Sequence, residues 1–600
     1  MNRLGKACAM MAATLLMASC GTQKETTTTY EKHLEFPKSM SFEEKVDLAS
    51  RLVPTPQQLA WQKLELTAFI HFGINTFTDR EWGDGTEDPA LFNPEGLDTD
   101  QWCKELSEAG FKLVILTAKH HDGFCLWPTK TTEHSVASSP WREGKGDVVG
   151  DLAQSCRKYG LKLGLYLSPW DRNHPTYGAG EAYNKVYLEQ LRELLTNYGE
   201  VDEVWFDGAN GEGPNGKRQE YDWDAVVSLI SELQPNAITA IMGRDVRWVG
   251  NERGLGRETE WSATVLPPSS LDRSKQIEEA LGIDAVSQDL GSRAMLEEAT
   301  ELFWYPSEVD VSIRPGWFYH ESEAPKSLEQ LAHIYFSSVG MNSSLLLNIP
   351  PNREGRLDDK DVARLREFGH FVRDFNAQNA VVGFEPLTLE AGTYAEWELD
   401  EEQLISAVVL QEDIAKGQHV EHFELEAMIG NGWTKVGEGT TIGHKRIILS
   451  EAPFRASKLR LKLLESRGMA YIYSVSAHQV PEVTPTVDAS QVTLIAKDGW
   501  QKVDGDGLTI DLGNTLMVNG FVYSPKGEGN KLMTHYDLSV SADGEHWDSA
   551  KSGEFGNIVN NPIPQYCKLS EPKEVRFVRL SGTNQAGTNI VAMVDEFDIF

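Results

Sequence analysis

Six hundred residues exceed what one hydrophobic core holds, so several domains are expected. Apolar residues at 40% and sixteen tryptophans mark a packed globular chain and exclude a disordered one. A formal net charge of −34, spread along the chain, argues against nucleic acid or an anionic membrane surface as partner and fits a neutral substrate.

In chain order, residues 1–20 read as a targeting segment. Arg3 and Lys6 precede an apolar run, Ala7 to Ala18, that is too short to span a bilayer comfortably, and small residues lead to Cys20. This resembles a bacterial lipoprotein signal. It implies an exported protein, periplasmic or on the cell surface, that touches the membrane only through a lipid on Cys20; plain secretion is the alternative. Residues 21–50 form a tether and N-terminal segment, opening on the polar stretch Thr22 to Thr29. The cysteines beyond it, Cys103, Cys125, Cys156 and Cys567, show no CxxC or zinc spacing and read as buried thiols.

Residues 51–378 alternate short apolar runs with amphipathic stretches. The runs read as strands at Ala68–Phe72, Lys112–Ala118, Lys162–Leu167, Glu203–Phe206, Ala237–Met242, a weak one at Thr259–Ala263, Val309–Ile313 and Ser344–Ile349. Helical patterns lie between several of them; "TDQWCKELSEAG" and "VVGDLAQSCRKYG" close on Gly110 and Gly160. Eight strands with helical crossovers predict a (β/α)8 barrel. An open doubly wound sheet competes, but no Gly-rich phosphate loop follows the first strand.

In such a barrel the chemistry gathers at the C-terminal strand ends. Here those ends carry His71; Lys119-His120-His121-Asp122-Gly123; Tyr166 followed by Ser168-Pro169-Trp170-Asp171-Arg172; Trp205-Phe206-Asp207-Gly208; and Arg314-Pro315-Gly316-Trp317. Three histidines suggest zinc, but adjacent residues on a strand point to opposite faces and no His-x-His pair occurs, so a metal site is not expected. The histidines could also do no more than satisfy strand-end hydrogen bonds. Aromatic rings, histidines and carboxylates around one mouth suit a sugar: rings pack on its C–H faces while polar groups meet its hydroxyls. Cleaving a glycosidic bond calls for two carboxyl groups. Asp207 shares a strand face with Trp205 and is the candidate nucleophile; the competing reading is that it caps the next helix. Its partner acid is left open among Asp245, Glu252, Glu258 and Glu260.

The stretches "AFIHFGINTFTDREWGDG", "LTAKHHDGFCLWPTKTTEHSV", "LYLSPWDR" and "VWFDGANGEG" together resemble an α-L-fucosidase of glycoside hydrolase family 29. "VRWVGNERGLGRETEWS" is similar to the subgroup acting on α-1,3/1,4-linked fucose in branched Lewis-type glycans. The resemblance implies a retaining exo-enzyme with Asp207 as nucleophile, Glu252 as acid/base and no catalytic cofactor or metal, acting on fucosylated oligosaccharides or glycoconjugates. It implies fucose contacts at His71, Glu81, His120, His121, Tyr166, Trp205 and Trp317, with Trp170 and Arg314 added as further contacts. The family's more general members carry Trp where this chain has Phe72, which is taken as a subgroup difference.

Beyond about Val382 helical patterns give way to β-branched alternation. "FELEAMIGNGWTKVGEGTTIG" and "YDLSVSADGEHWDSAKSGEFG" are alike, and each precedes a basic-apolar strand, "SKLRLKLLES" and "KEVRFVRLSG". This duplication predicts two β-sandwich modules, at 379–481 and 482–600. The second resembles a discoidin (factor V/VIII type C) module, a kind that often binds sugars and often holds a structural calcium. A sandwich that only buttresses the barrel is the plainer reading of each. Two other functions remain open: a carbohydrate-binding surface lipoprotein whose barrel is inactive, and a metal-dependent barrel hydrolase.

Overall fold

The computed structural model describes residues 28–400, 402–483, 492–505, 507–555 and 558–600. The expected signal segment and Cys20 fall on residues 1–27, outside the described residues. No helix among the described residues is long and apolar enough to cross a membrane.

The first large unit is a parallel eight-stranded barrel. Its strands are β1 (Leu66–Ile70), β2 (Leu113–Lys119), β3 (Lys162–Leu167), β4 (Glu203–Phe206), β5 (Ile238–Ile241), β6 (Arg247–Trp248), β7 (Ser307–Ser312) and β8 (Ser344–Asn348). They pair in chain order, with β8 returning to β1. Closure between β5 and β6 is only an Ala240–Val246 bridge.

Seven of the expected strands are present, and the sixth lies elsewhere. The two-residue β6 takes its place, pairing with β7 and following β5 with no helix between. The stretch around Thr259–Ala263 instead feeds a strand at Ala263–Thr264 in an outer three-stranded sheet with Glu301–Trp304 and His33–Glu35. A two-residue strand is too short to carry the apolar pattern by which sequence reveals strands.

The other strands read as near-continuous apolar runs because both faces are covered. The period of two sends Phe69, Leu113, Ile115, Tyr166, Trp205, Ala240 and Leu346 into the lumen, while Ala68, Val114, Leu116, Val204, Val309 and Leu347 face the helices. Helices Thr99–Glu108 and Val148–Tyr159 start on Asp98 and Asp147, whose side chains accept from the backbone three residues on. The first has Ala109 at its C-cap with Gly110 just beyond; the second ends on a left-handed Gly160. The helix Pro56–Gln62 brings Trp61 into the lumen core, where its indole donates to buried Glu203 at 2.8 Å.

After the barrel comes a sandwich of two four-stranded antiparallel sheets. One holds the hairpin Val420–Ile429/Gly432–Gly439 with Lys458–Ser466 against its first strand. The C-terminal module repeats the plan with His535–Ser541, Asp548–Glu554 and Gln565–Thr583. The sequence duplication is thus a repeated hairpin plus return strand.

Candidate active site

Asp207 follows β4 directly. Its Oδ1 accepts from Ala209 N at 2.7 Å and its Oδ2 from Tyr166 Oη at 3.2 Å, and its side chain keeps 26% exposure. It does not cap a helix: the next one, Trp223–Leu233, is capped by Asp222. Asp207 is a partly open carboxylate on a rigid strand end.

The expectation that His120 and His121 diverge is wrong. β2 ends at Lys119, and in the turn beyond it the two rings lie 4.1 Å apart. Lys119 itself turns to the helix layer, bound to Asp171, Tyr183 and Gln190. Gly123 allows this turn: its φ is +82° and a Cβ there would stand 2.4 Å from Asp171 Oδ1.

Burial holds His71 and His121 down at about 4, so both are neutral near pH 7. Their tautomers follow from their neighbours. Asn348 donates its Nδ2 to Ser312 Oγ and Trp317 O, so its Oδ1 accepts from His71 Nδ1 at 2.9 Å. Ser168 donates its hydroxyl to Trp170 O, so its oxygen accepts from His121 Nδ1 at 2.8 Å. Both rings therefore keep an unprotonated Nε2 for a hydroxyl donor. His120 is also neutral by burial, and its Nδ1 has no hydrogen-bond partner among the described residues. A set of hydroxyls arriving here is met by acceptors.

The wall is aromatic. Tyr166 stacks on Trp205 at 5.2 Å, Trp317 lies 5.0 Å from His71, and Trp170 lies 5.0 Å from His121. The polar edge of Trp205 turns inward to Glu308 at 2.7 Å, so its ring alone faces the site. Glu81 has several partners already: its carboxylate accepts from Trp317 N (2.8 Å), Phe318 N (3.1 Å) and His320 Nε2 (2.7 Å). His320 is held well above its usual pKa: Asp79 and Glu81 outweigh its burial.

Arg314 is not brought to the site. Its side chain is 0% exposed, bound by Nε to Asp361 (2.7 Å) and by Nη1 to the carbonyls of Glu323 (2.6 Å) and His320 (3.2 Å). It anchors the loop that presents Trp317.

The four loop carboxylates separate cleanly. Asp245 is tied to Thr239 and Lys32. Glu260 is buried between Arg247 and Arg257. Glu258 is exposed, with its carbonyl on Arg446 of the sandwich. Only Glu252 enters the site, accepting from Trp317 Nε1 at 3.0 Å. Burial pushes its carboxyl well above the usual range, and Asp310 and then Asp207 add to the shift. A proton-holding carboxyl faces an ionisable one across an aromatic pocket, which suits general acid catalysis beside a nucleophile.

Asn348, His320, Trp82 and Asp310 escaped the sequence reading. Asn348 ends β8 and could have been found as another polar strand end; Trp82, whose ring meets His121 at 5.6 Å, sits in a loop without periodicity. Asp310, raised to about 7 chiefly by burial and bonded to Trp248 Nε1 at 2.9 Å, lies inside the strand read at Val309–Ile313 rather than at its polar end. Among the described residues, one set of three His or acidic side chains has ligand atoms within 4.8 Å of one another: His33, Glu35 and Glu301. It lies on the outer sheet, away from Asp207, and Arg273 already pairs with Glu301.

The comparisons agree with this geometry. Residues 76–377 match the family model Alpha-L-fucosidase, and residues 487–597 match the F5/8 type C domain. Alpha-L-fucosidase 1 of Arabidopsis thaliana is 43% identical over 428 residues, 66% of this chain and 81% of the relative. The crystal structure of a candidate alpha-L-fucosidase from Bacteroides ovatus is 53% identical, covering 95% of this chain and 99% of that one with a TM-score of 0.76. A Ruminococcus gnavus family 29 fucosidase in complex with fucose is 29% identical, covering 72% and 95% with a TM-score of 0.62. The chain belongs to the α-L-fucosidases of glycoside hydrolase family 29, with an F5/8 type C domain at its C-terminal end.

Proposed function

We propose that this chain is a retaining exo-α-L-fucosidase that releases terminal α-1,3/1,4-linked fucose from branched Lewis-type glycans. The observation that carries the reading is the pairing of Asp207 with Glu252, the one loop carboxyl that enters the pocket and is held protonated there. In the first step an Asp207 oxygen attacks the anomeric carbon. Glu252 gives its proton to the departing glycosidic oxygen, and a fucosyl ester of Asp207 forms. In the second step the Glu252 carboxylate takes a proton from water, whose oxygen displaces Asp207. Two inversions leave the configuration unchanged. The Nε2 atoms of His71 and His121 accept from fucose hydroxyls while Tyr166, Trp205 and Trp317 pack on the ring.

One experiment tests both finer points. Hydrolysis of oligosaccharides with α-1,2, α-1,3 and α-1,4 fucose is followed by NMR from the first seconds. We expect α-fucose as the first-formed anomer and faster release from the branched α-1,3 and α-1,4 substrates. A β-anomer would remove the retaining mechanism; a preference for α-1,2 would remove the linkage assignment.

Export as a lipoprotein, anchored through Cys20, is part of the same proposal and rests on the residues before Tyr30. A structural calcium in the C-terminal module rests on the resemblance alone. The described residues of that module gather no three acidic or histidine side chains, so backbone carbonyls would supply most of its ligands.

A further inference from the structure

One large cavity does not have Asp207 in its lining. It is a cleft of about 1060 Å³ between the barrel mouth and the C-terminal module. On the barrel side it is lined by Glu81 and Trp82, which also border the pocket around Asp207. On the other side stands the strand Asp548–Glu554 with the start of Gln565–Thr583. Ion pairs cross it: Lys551 to Asp79 at 3.3 Å, Lys568 to Glu321 at 2.6 Å and Arg172 to Glu554 at 3.7 Å. From the same module Asn560 Nδ2 donates to Glu252 Oε1 at 3.4 Å.

We propose that this cleft binds the oligosaccharide to which the fucose is attached, and that the F5/8 type C module both walls it and positions Glu252 through Asn560. Three observations converge. The cleft begins at Glu81 and Trp82, and Glu81 is joined to Glu252 through Trp317, whose backbone N donates to Glu81 and whose Nε1 donates to Glu252. Its volume is at or above the upper end of ordinary small-ligand pockets, roughly 300–1,000 Å³, and so suits several sugar rings better than one. Its charges are of both signs and paired across the gap, which leaves polar edges for hydroxyls without selecting an ionic ligand. The role of Asn560 rests on the reading of Glu252 as the acid; the wall of the cleft does not.

Two substitutions in the full chain test it. Ser552 is exposed on the module's strand and lines the cleft, so Ser552→Trp fills the gap without disturbing a core. We expect its kcat/KM on a Lewis-type trisaccharide to fall at least about tenfold more than its kcat/KM on 4-nitrophenyl α-L-fucoside. Equal falls on both substrates, or none on either, overturn the cleft. Binding of the fucose-free core disaccharide, read by ligand-observed NMR, is independent of the catalytic assignment. The wild type should bind it and Ser552→Trp should not; binding kept by the variant, or absent in the wild type, counts against the cleft whichever carboxyl is the acid. Asn560→Ala removes a donor that favours ionised Glu252, so the alkaline limb of kcat/KM on the Lewis-type trisaccharide, whose leaving group needs the proton, should move up by about half a pH unit. An unmoved limb with wild-type rates overturns the positioning role alone.

Discussion

Asp207→Asn separates the chemistry from the fold. Asparagine keeps the oxygen that accepts from Ala209 N, and its amide would face the Tyr166 hydroxyl, which can rotate to accept. At worst one hydrogen bond on a partly exposed group is weakened, about 0.5–1.5 kcal/mol. For a domain of this size that lowers Tm by only a few degrees, roughly 2–4 °C per kcal/mol. The reaction loses its nucleophile, and kcat should fall by at least about 10³-fold, some 4 kcal/mol of barrier. The assay pairs thermal melts with aryl fucoside turnover, with and without azide. Azide fits the vacated face and should restore part of the rate as a fucosyl azide of inverted configuration. A variant that melts normally yet keeps a tenth of wild-type activity refutes the assignment.

Glu252→Ala should damage turnover of natural glycans far more than glycosylation by an activated aryl fucoside, whose leaving group needs little protonation; azide should give the retained product, and the same product from Glu258→Ala or Glu260→Ala alone would transfer the role. In the wild type the raised pKa of Glu252 should extend kcat/KM on natural glycans well above the usual carboxylate range before the alkaline limb begins, and a limb near pH 4.5 would contradict the site's electrostatics. Glu203, inside the lumen, is pushed up to about 8 chiefly by burial, so the folded chain holds a proton that the unfolded chain has released above its ordinary 4.5. Its linkage therefore lowers stability as pH rises from about 4.5 towards 8, and Glu203→Gln should flatten that fall in urea melts at pH 5 and pH 8; an unchanged slope would place the effect elsewhere.

The barrel was legible where strands are buried on both faces and hence spelled as apolar runs, and where polar residues interrupt them at the C-terminal end. His71, the His120-His121 pair, Tyr166 and Asp207 all carried that signature. What stayed hidden had no period to show. The two-residue β6 cannot alternate, Trp82 and His320 sit in loops, and Arg314 looks like a strand-end ligand although its guanidinium turns outward to Asp361. Glu252 could be singled out only by resemblance, because four carboxylates crowd one loop region and the place each side chain reaches, which a sequence does not print, decides among them. The hydrogen bond from Asn560 to Glu252 spans more than three hundred residues, a pairing no local pattern can announce.

The short β6 has a consequence for how such an enzyme can change over time. Asp207 is bolted to a strand whose every residue is buried, so its address along the chain is fixed by the barrel. Glu252 rides the excursion between β6 and β7, which is free of the barrel's register and, between β6 and the outer-sheet strand Ala263–Thr264, can lengthen or shorten without unseating a barrel strand. With Asp207 as the proposed nucleophile and Glu252 as the proposed acid, the two halves of the reaction are inherited under different rules. A descendant could move its acid to a new position in the sequence and still deliver it to the same point in space. Sequences compared with this one should be aligned on the nucleophile, and their acid sought by where it arrives.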